Sequence, residues 1–295
     1  MKKILPIFII SIFLILSIQS QICAQVILDG SMGMRANLNG PDYDIQASFG
    51  RQSGANLFHS FQTFNINTNE SANFSGPASV QNIISRVTGG SASQIDGTLR
   101  STIPDANLYL LNPAGVMFGA NASLDIGGSF HVSTADYLKM EGNERFHTLP
   151  RQGEMLSAAP PSAFGFMDKG APITFDGKEI PESDWDGNST GLAVSEGKTI
   201  SVIGGDIEIA GSFYEDTLRE KNILLGSLDA PGGRVNIAGI GSEGEVVPTE
   251  SGLDISSAES GSIMLDDHAL ISVSGQGSGS IYIRPGNFLL TTTAV

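Results

Sequence analysis

The amino-acid sequence predicts an all-β protein wound as a parallel β-helix, also called a β-solenoid. Glycine is abundant: 36 of the 295 residues are glycine, about 12% against a usual share of about 7%, so the chain turns often. Stretches with the 3.6-residue apolar period of an amphipathic helix are nearly absent after residue 24. Short apolar runs bounded by glycine, proline, asparagine or serine replace them, which is typical of short strands.

A third observation is a repeated unit in the second half, Gly-x-apolar-x-apolar. Its four copies begin at Gly205, Gly233, Gly261 and Gly279. Steps of 28, 28 and 18 residues between them are typical of a solenoid, in which each coil buries its inward residues against the next coil. Within the first copy, strand alternation predicts that Ile207 and Ile209 face the core and that Glu208 faces solvent.

The length of the chain sets an expected number of coils. At roughly 20–25 residues per coil, the residues after position 24 would form about 11–13 coils. A β-sandwich of hairpins is the alternative fold, because it also contains short strands and glycine turns. Paired hairpin signals are scarce in the sequence, which favours the solenoid.

Residues 1–24 have the layout of a signal peptide. Lys2 and Lys3 precede an apolar run over residues 4–18, which is 15 residues long and falls short of the roughly 20 residues that span a bilayer. Cleavage after Ala24 is the predicted outcome, and a lipoprotein modified at Cys23 or an uncleaved anchor are the alternatives. Cleavage also removes the only cysteine, so the mature chain cannot form a disulfide.

Acidic residues outnumber basic residues by 31 to 16, for a formal net charge of −15. Loss of the two lysines in residues 1–24 leaves 14 basic and 31 acidic residues, or −17. Nucleic acid is excluded as a partner because such a surface repels its phosphates. Proteins, cations and sugars remain as partner classes.

Two polar segments interrupt the strand-rich pattern. Residues 139–168 are rich in charge and contain Pro160 and Pro161, and proline cannot continue a strand ladder. We expect this segment to leave the β-helix as an excursion, and Phe164 and Phe166 to dock it back onto the rod. A second acidic loop is expected over residues 179–190, around Trp185.

The most specific stretch of the sequence lies between residues 50 and 138. It contains G-R-Q-S-G-A-N-L-F-H-S-F-Q-T-F-N-I from residue 50, V-T-G-G-S-A-S-Q-I-D-G-T-L-R-S from residue 87 and A-N-L-Y-L-L-N-P-A-G-V-M-F-G from residue 106. These ordered blocks closely resemble the N-terminal two-partner secretion (haemagglutination activity) domain of filamentous-haemagglutinin-like exoproteins. The resemblance covers about residues 26–170.

This resemblance implies a right-handed, single-stranded parallel β-helix with an N-terminal cap and loop excursions. It also implies a bacterial passenger protein that its N-terminal domain directs to an outer-membrane transporter, a barrel with periplasmic domains. Such a protein is secreted across the outer membrane and is extracellular or held at the cell surface. The expected function is that of an adhesin or haemagglutinin, with a host or cell-surface receptor or a carbohydrate as its further partner. No cofactor is expected.

The predicted domain organisation has three parts. A signal peptide covers residues 1–24, the secretion domain covers residues 25–170, and a continuing β-helix shaft covers residues 171–295. The sequence ends inside a strand-like run that starts at Phe288 and has no polar cap. Since an open strand edge invites aggregation, we expect the shaft to be truncated.

The family's asparagine-proline motif N-P-N-G-I is matched over residues 112–116, with alanine in the middle position. The predicted secretion-motif residues are Asn112, Pro113, Gly115 and Val116. Asparagine, proline and glycine suit a tight turn, after which the valine re-enters a strand. A simple turn between coils and a direct contact with the transporter both stay open. The family's earlier N-P-N-L motif has no counterpart between Asn73 and Thr88.

A second group of residues is predicted as a cap or recognition block near the start of the rod. It consists of Asn56, His59 and Phe61. Strand alternation favours core packing for the aromatic residues. We interpret His59 as a hydrogen-bonded structural histidine, and a ligand role is the alternative.

An enzyme is the alternative function, because β-helices also occur in secreted enzymes that act on polysaccharides. Such enzymes need clustered carboxylates, or calcium with a basic residue. The best candidate is Asp266-Asp267-His268, but adjacent strand residues point to opposite faces, and we interpret this group as a solvated turn. The sequence therefore predicts a binding protein without catalytic or metal-ligating residues.

Overall fold

The computed structural model describes residues 25–178, 180, 191–216, 221–224 and 227–291. The predicted signal peptide, and the acidic loop over residues 179–190 except Ile180, lie outside these residues. The described residues form a parallel β-helix with three faces, so the predicted β-helical fold is confirmed. In these ranges, no helix has the length and apolar character needed to cross a membrane.

The first face is a ten-stranded sheet whose strands from β5 onward are parallel along the rod. Its strands are β1 Val26–Asp29, β2 Arg35–Asn37, β4 Arg51–Ser53, β5 Asn56–Phe64, β7 Asn82–Val87, β10 Asn107–Leu111, β13 Phe130–Ser133, β19 Thr199–Gly204, β24 Arg234–Gly239 and β29 Ser280–Arg284. This face carries the longest strand, β5, which contains the predicted site residues Asn56, His59 and Phe61.

Two further parallel faces complete each coil. The second face consists of β8 Ser93–Ile95, β11 Val116–Phe118, β17 Ile173–Phe175, β20 Ile207–Ala210, β27 Ser262–Asp266 and β30 Asn287–Leu290. The third face consists of β3 Asp42–Gln46, β6 Ser71–Ser75, β9 Thr98–Ser101 and β12 Ser123–Asp125, followed by β18 Leu192–Ala193, β23 Leu228–Asp229 and β28 Ile271–Ser272. The chain thus visits the first, second and third face in turn.

Inward side chains stack coil upon coil to form the main core. Along the first face, one continuous row is made by Ile83, Leu108, Phe130, Ile200 and Val235, all of which are buried. The predicted alternation is confirmed on the second face, where Ile207 and Ile209 are buried and Glu208 is exposed. Burial of such apolar rows is the main stabilising contribution in the fold.

A cap closes the N-terminal edge of the first face. Strand β1 pairs antiparallel with β5, and β2 pairs antiparallel with β1. Strand β4 follows a short 3₁₀ helix, Ala47–Phe49, and also pairs antiparallel with β5. These strands occupy hydrogen-bonding groups that an open sheet edge would otherwise expose.

The predicted excursion is confirmed, although it is a packed sheet instead of a polar loop. Strands β14 Tyr137–Met140, β15 Arg145–His147 and β16 Pro161–Phe166 are antiparallel, and a later hairpin of β25 Gly244–Thr249 and β26 Gly252–Ile255 extends the same sheet. A third hairpin pairs β21 Phe213–Asp216 with β22 Lys221–Leu224.

The excursion sheet covers the outer side of the first face and makes a second apolar core. As predicted, Phe164 and Phe166 dock it onto the rod, where they pack with Phe58, Ile84 and Leu111 of the first face. Since both sides of the first face are covered, strand β7 is buried at all of its positions. Its buried positions include the polar residues Asn82, Ser85 and Arg86, whereas a strand covered on both sides is usually a continuous apolar run.

The expected number of coils is wrong. Within the described residues, the first face contains seven parallel strands, from β5 to β29. There are fewer coils than expected because the excursions lengthen some of them. Phe130, for example, pairs with Ile200 of the next coil, 70 residues further along. The four glycine units also do not mark one coil each: those at Gly205 and Gly261 lead into the second face, whereas those at Gly233 and Gly279 lead into the first face.

Candidate functional site

The predicted secretion motif forms the corner between the first face and the second face. Asn112 follows the last residue of β10, and Val116 is the first residue of β11. The backbone N–H of Gly115 donates to the carbonyl oxygen of Asn112 over 3.1 Å, which closes a tight turn. Gly115 has a φ of 116°, a conformation that side chains rarely adopt. The sequence therefore predicted the turn and the reason for its glycine.

The side chain of Asn112 is directed into the protein. It is fully buried, and its Nδ2 donates to the carbonyl oxygen of Ser91 and to Oγ of Ser93, each at 3.0 Å. Its Oδ1 accepts the backbone N–H of Ala114 at 3.0 Å. Asn112 thus ties its own turn to the corresponding corner of the preceding coil, and its amide is satisfied inside the fold.

Neighbouring coils enclose the motif on both sides. Val116 is buried and pairs with Ser93 of the preceding coil and with Ile173 of the following coil. Pro113 and Ala114 are half-buried, whereas Met117, which follows the motif, is exposed. In the folded protein, a partner can therefore reach the outer side of this corner but not the asparagine amide.

Asn56 is the first member of a ladder of asparagine side chains at the start of the first face. Asn82 donates to Oδ1 of Asn56 at 2.9 Å, and Asn107 donates to Oδ1 of Asn82 at 3.0 Å. Nδ2 of Asn56 donates outward, to the carbonyl oxygens of Ser157 at 3.0 Å and Ala159 at 2.7 Å. Asn56 therefore joins three successive coils to the loop between β15 and β16.

His59 is fully buried between aromatic rings. Its ring centroid lies 5.6 Å from that of Phe74 and 6.1 Å from that of Phe61. Neither ring nitrogen has a hydrogen-bond partner among the described residues, so the prediction of a hydrogen-bonded histidine is wrong. Burial lowers the pKa of His59 to about 4, because a charged imidazolium is poorly solvated there. The ring is neutral at pH 7.

Phe61 belongs to the aromatic core behind the cap, as strand alternation predicted. Its ring centroid lies 4.8 Å from that of Phe64 and 6.5 Å from that of Phe74. Phe61 lies within β5, which ends at Phe64. Ser60, beside it, is in register with Arg86 of β7, and Arg86 is in register with Leu111 of β10. Asn56 lies at the opposite end of β5. The structure thus does not gather the predicted block into one site.

Arg86 is a central residue that the sequence did not single out. Its guanidinium is buried and donates to Oγ of Ser60 at 2.8 Å and to Oγ of Ser31 in the cap at 3.1 Å. It also donates to the carbonyl oxygen of His147 at 2.5 Å and forms a salt bridge of 2.7 Å with Glu154. One side chain therefore joins the cap, the rod and the excursion.

A carboxylate behind Arg86 extends this network. Asp29 accepts hydrogen bonds from Oγ of Ser60 at 2.7 Å and from Oγ1 of Thr88 at 3.0 Å. Burial raises the pKa of Asp29, but the hydrogen bonds from Ser60, Ser31 and Thr88 outweigh burial and leave the pKa lowered. An arginine inside the apolar strand N-I-I-S-R-V is a sequence signal that could have drawn attention to this network.

The described residues contain no group of three or more histidine, cysteine, aspartate or glutamate side chains placed to hold a metal ion. The Asp266-Asp267-His268 segment ends β27 in a turn, where Asp267 and His268 have φ values of 44° and 66°. Asp266 accepts the backbone N–H of Asp267 at 2.8 Å and the hydroxyl of Thr291. Its carboxylate is thus engaged in holding this turn.

Comparison with known proteins gives two results. A family model of the TPS (two-partner secretion) secretion domain matches residues 24–283. Over 83 residues, the chain is 34% identical to the heme/hemopexin-binding protein of Haemophilus influenzae, which corresponds to 28% of this chain and 9% of that protein. The aligned segment thus spans less than a tenth of the length of this relative.

Proposed function

This chain belongs to the family of TPS secretion domains, and we propose that it is a secreted passenger exoprotein of a two-partner secretion system. Its N-terminal domain would direct it to the outer-membrane transporter of that system, a barrel with periplasmic domains. It would cross the outer membrane there and become extracellular or remain at the cell surface.

The observation that carries this proposal is the family match, which extends over residues 24–283 and so includes nearly all of the described β-helix. Two structural features support it. The N-terminal edge is closed by a cap, whereas each later coil presents its edge to the next one, so coils can be added in the order in which the chain emerges. The absence of cysteine after residue 24 leaves an unfolded chain free of disulfides.

We propose that the transporter recognises the secretion motif while the chain is still unfolded. Asn112 is fully buried in the folded protein, so its amide can contact a transporter only while the chain is extended. Once the chain is outside, the same amide holds the corner between coils. Under this proposal, the transporter recognises four residues of the unfolded chain, which then form a corner of the β-helix: Asn112, Pro113, Gly115 and Val116. The role of the cap or recognition block in the folded protein is to stabilise the first coil beneath the cap; its residues are Asn56, His59 and Phe61.

The test is co-expression of the full chain with a two-partner secretion transporter from the same bacterium, with release into the medium as the measurement. Asn112→Ala combined with Pro113→Ala should reduce release strongly. Asn67→Ala combined with Pro77→Ala is the matched control, because both residues are exposed. Protease resistance of whatever is released separates a defect in folding from a defect in recognition. Release without the transporter, or equal release of both variants, would refute the proposal.

We further propose that the released protein acts as an adhesin or haemagglutinin. This proposal rests on the resemblance to filamentous-haemagglutinin-like exoproteins, and it assigns a host or cell-surface receptor or a carbohydrate as the final partner. The heme or hemopexin named for the relative is not transferred, because the alignment covers only 9% of that protein. Agglutination of erythrocytes by the released protein would support this role, and its absence at high protein concentration would argue against it.

We also propose that the protein has no catalytic activity. The alternative, a polysaccharide-active enzyme, would need two carboxylates free to face one substrate, whereas Asp266 is used within its turn. Incubation of the released protein with acidic polysaccharides should yield no new reducing ends. Product formation that is lost in Asp266→Asn would establish the enzyme instead.

A further inference from the structure

An open cleft of about 260 Å³ lies where the cap, the first face and the loop between β15 and β16 meet. Its walls include Ser31, Met32, Arg51, Arg86, Arg151 and Leu156. The cleft therefore contains polar, cationic and apolar groups, and it exists only when residues far apart in sequence are folded together.

The cleft carries an excess of positive charge in an acidic protein. Three arginines and one glutamate line it, and Glu154 is already paired with the buried Arg86. The guanidinium groups of Arg51 and Arg151 are exposed and form no hydrogen bond or ion pair with any described residue. Several cations elsewhere on the surface are paired with carboxylates, namely Arg100, Arg145, Lys169 and Lys198.

The positive charge also affects a nearby titratable group. Burial, and after it the charge of Arg151, lowers the pKa of His147, whose backbone carbonyl binds Arg86. Like charges oppose protonation of an imidazole. The direction of this pKa shift agrees with the excess of arginines in the cleft, although the whole chain carries a net charge of −15.

We propose that this cleft binds an acidic peptide segment of a partner protein. Arg51 and Arg151 would pair with carboxylates of that segment, because a guanidinium offers two parallel N–H donors that match a carboxylate. Met32 and Leu156 would contact the aliphatic parts of its side chains. The ligand class follows from this mixture of free guanidinium groups and apolar walls.

Other anionic ligands fit this surface less well. Nucleic acid and anionic membranes present extended negative charge and would be repelled by the acidic remainder of the protein. A short peptide is affected mainly by charges within a Debye length, about 8–10 Å in ordinary buffer. Inorganic phosphate is too small to contact the apolar walls. Because the cleft requires the folded chain, this binding follows secretion and does not depend on the proposed transporter.

The proposal is tested with a fluorescein-labelled hexapeptide of alternating glutamate and leucine, whose binding to the released protein is measured by fluorescence anisotropy. The double variant Arg51→Gln, Arg151→Gln should bind about tenfold or more weakly, since two charge-assisted hydrogen-bonding groups are lost. The matched control, Arg100→Gln with Lys169→Gln, changes the net charge equally but lies outside the cleft, and its affinity should change less than about twofold. Both variants should retain the urea unfolding midpoint of the unsubstituted protein.

Four results would overturn the proposal. They are absence of peptide binding to the unsubstituted protein, an equal loss of affinity in both double variants, equal binding of a peptide with glutamine in place of glutamate, and displacement of the peptide by equimolar sodium phosphate. The last result would assign the cleft to a small anion. Peptide binding to the unsubstituted protein and to the control variant should weaken as the salt concentration rises.

Discussion

Arg86 and Glu154, which are 68 residues apart in sequence, form a salt bridge of 2.7 Å beneath the surface of the protein. Only 1% of the Arg86 side chain and 10% of the Glu154 side chain are exposed. Arg86 lies in the second coil, and Glu154 lies in the loop between β15 and β16. The pair therefore joins the rod to the sheet that covers it.

Removal of Arg86 should destabilise the protein strongly. Arg86→Met leaves Glu154 as a buried carboxylate without its partner, and the free energy of unfolding should fall by about 3–5 kcal/mol. Arg100→Met is the control, because its salt bridge with Asp125 is exposed and should contribute at most about 1 kcal/mol. Urea unfolding measures both values. Equal stability losses in the two variants would contradict the assigned role of Arg86.

The stability of the protein should decrease in mild acid because of His59. Its folded-state pKa is about 4, whereas an unfolded histidine has a pKa near 6.5. As the pH falls from about 6.5 to 4, only the unfolded chain gains this proton, so the free energy of unfolding should fall by about 3 kcal/mol. Below pH 4 this contribution stays constant.

The matched variant for that measurement is His59→Leu, which has no titratable group at this position. Carboxylates affect both proteins alike, so the difference between their urea stabilities at each pH isolates the histidine. Parallel pH profiles for the two proteins would show that His59 does not carry the effect.

Asn82 should be the most sensitive position of the asparagine ladder, because it bonds on both sides. Asn82→Ala removes the donor to Asn56 and the acceptor for Asn107. An unsatisfied buried polar group costs about 1–3 kcal/mol, and a loss of this size is expected in urea unfolding. Asn67→Ala, at an exposed site, should change stability by less than about 0.5 kcal/mol; a similar effect at both positions would disprove the ladder's contribution.

Gly115 should not tolerate a side chain. Its φ of 116° disfavours alanine, and a Cβ atom there would lie 3.2 Å from the carbonyl oxygen of Pro172. Gly115→Ala should cost about 1–3 kcal/mol. Gly277→Ala is the control, because a Cβ atom there would approach no atom closer than 3.6 Å and should be neutral or slightly stabilising. Thermal unfolding would show no difference between the variants if the turn were unstrained.

Local sequence patterns correctly predicted those structural features that depend on residues close together in the sequence. The burial of Ile207 and Ile209, the turn after Asn112 and the docking of Phe164 all followed from alternation, turn chemistry and an isolated aromatic residue. The short strands and the repeated glycine unit predicted the β-helix, and the resemblance of residues 50–138 to a known family added its cap. Each of these features can be recognised along the chain without knowledge of the contacts between coils.

The sequence did not predict features that depend on residues far apart. Arg86 looks like an interruption of an apolar strand until Glu154 is placed beside it. The excursion appeared polar because its charged residues are consecutive, yet β16 pairs with β25 about 80 residues later. The unpaired ring of His59 is likewise a property of the surrounding coils. Strand alternation gives the direction of such a side chain but not the groups that it meets.

The contacts of Asn56 have a consequence for the order in which the chain becomes stable. Its amide, in the first coil, donates to carbonyl oxygens 101 and 103 residues further along. A chain that emerges N-terminus first therefore stacks several coils before the first coil has its last hydrogen bonds. Closing a loop of about a hundred residues carries an entropic cost, and contacts of such separation form slowly.

The early coils of a chain that is being secreted should therefore unfold readily until residue 159 has left the transporter. After that point, unfolding and movement back into the transporter become unfavourable. Protease resistance of successive C-terminal truncations should rise sharply between chains that end at residues 133 and 170.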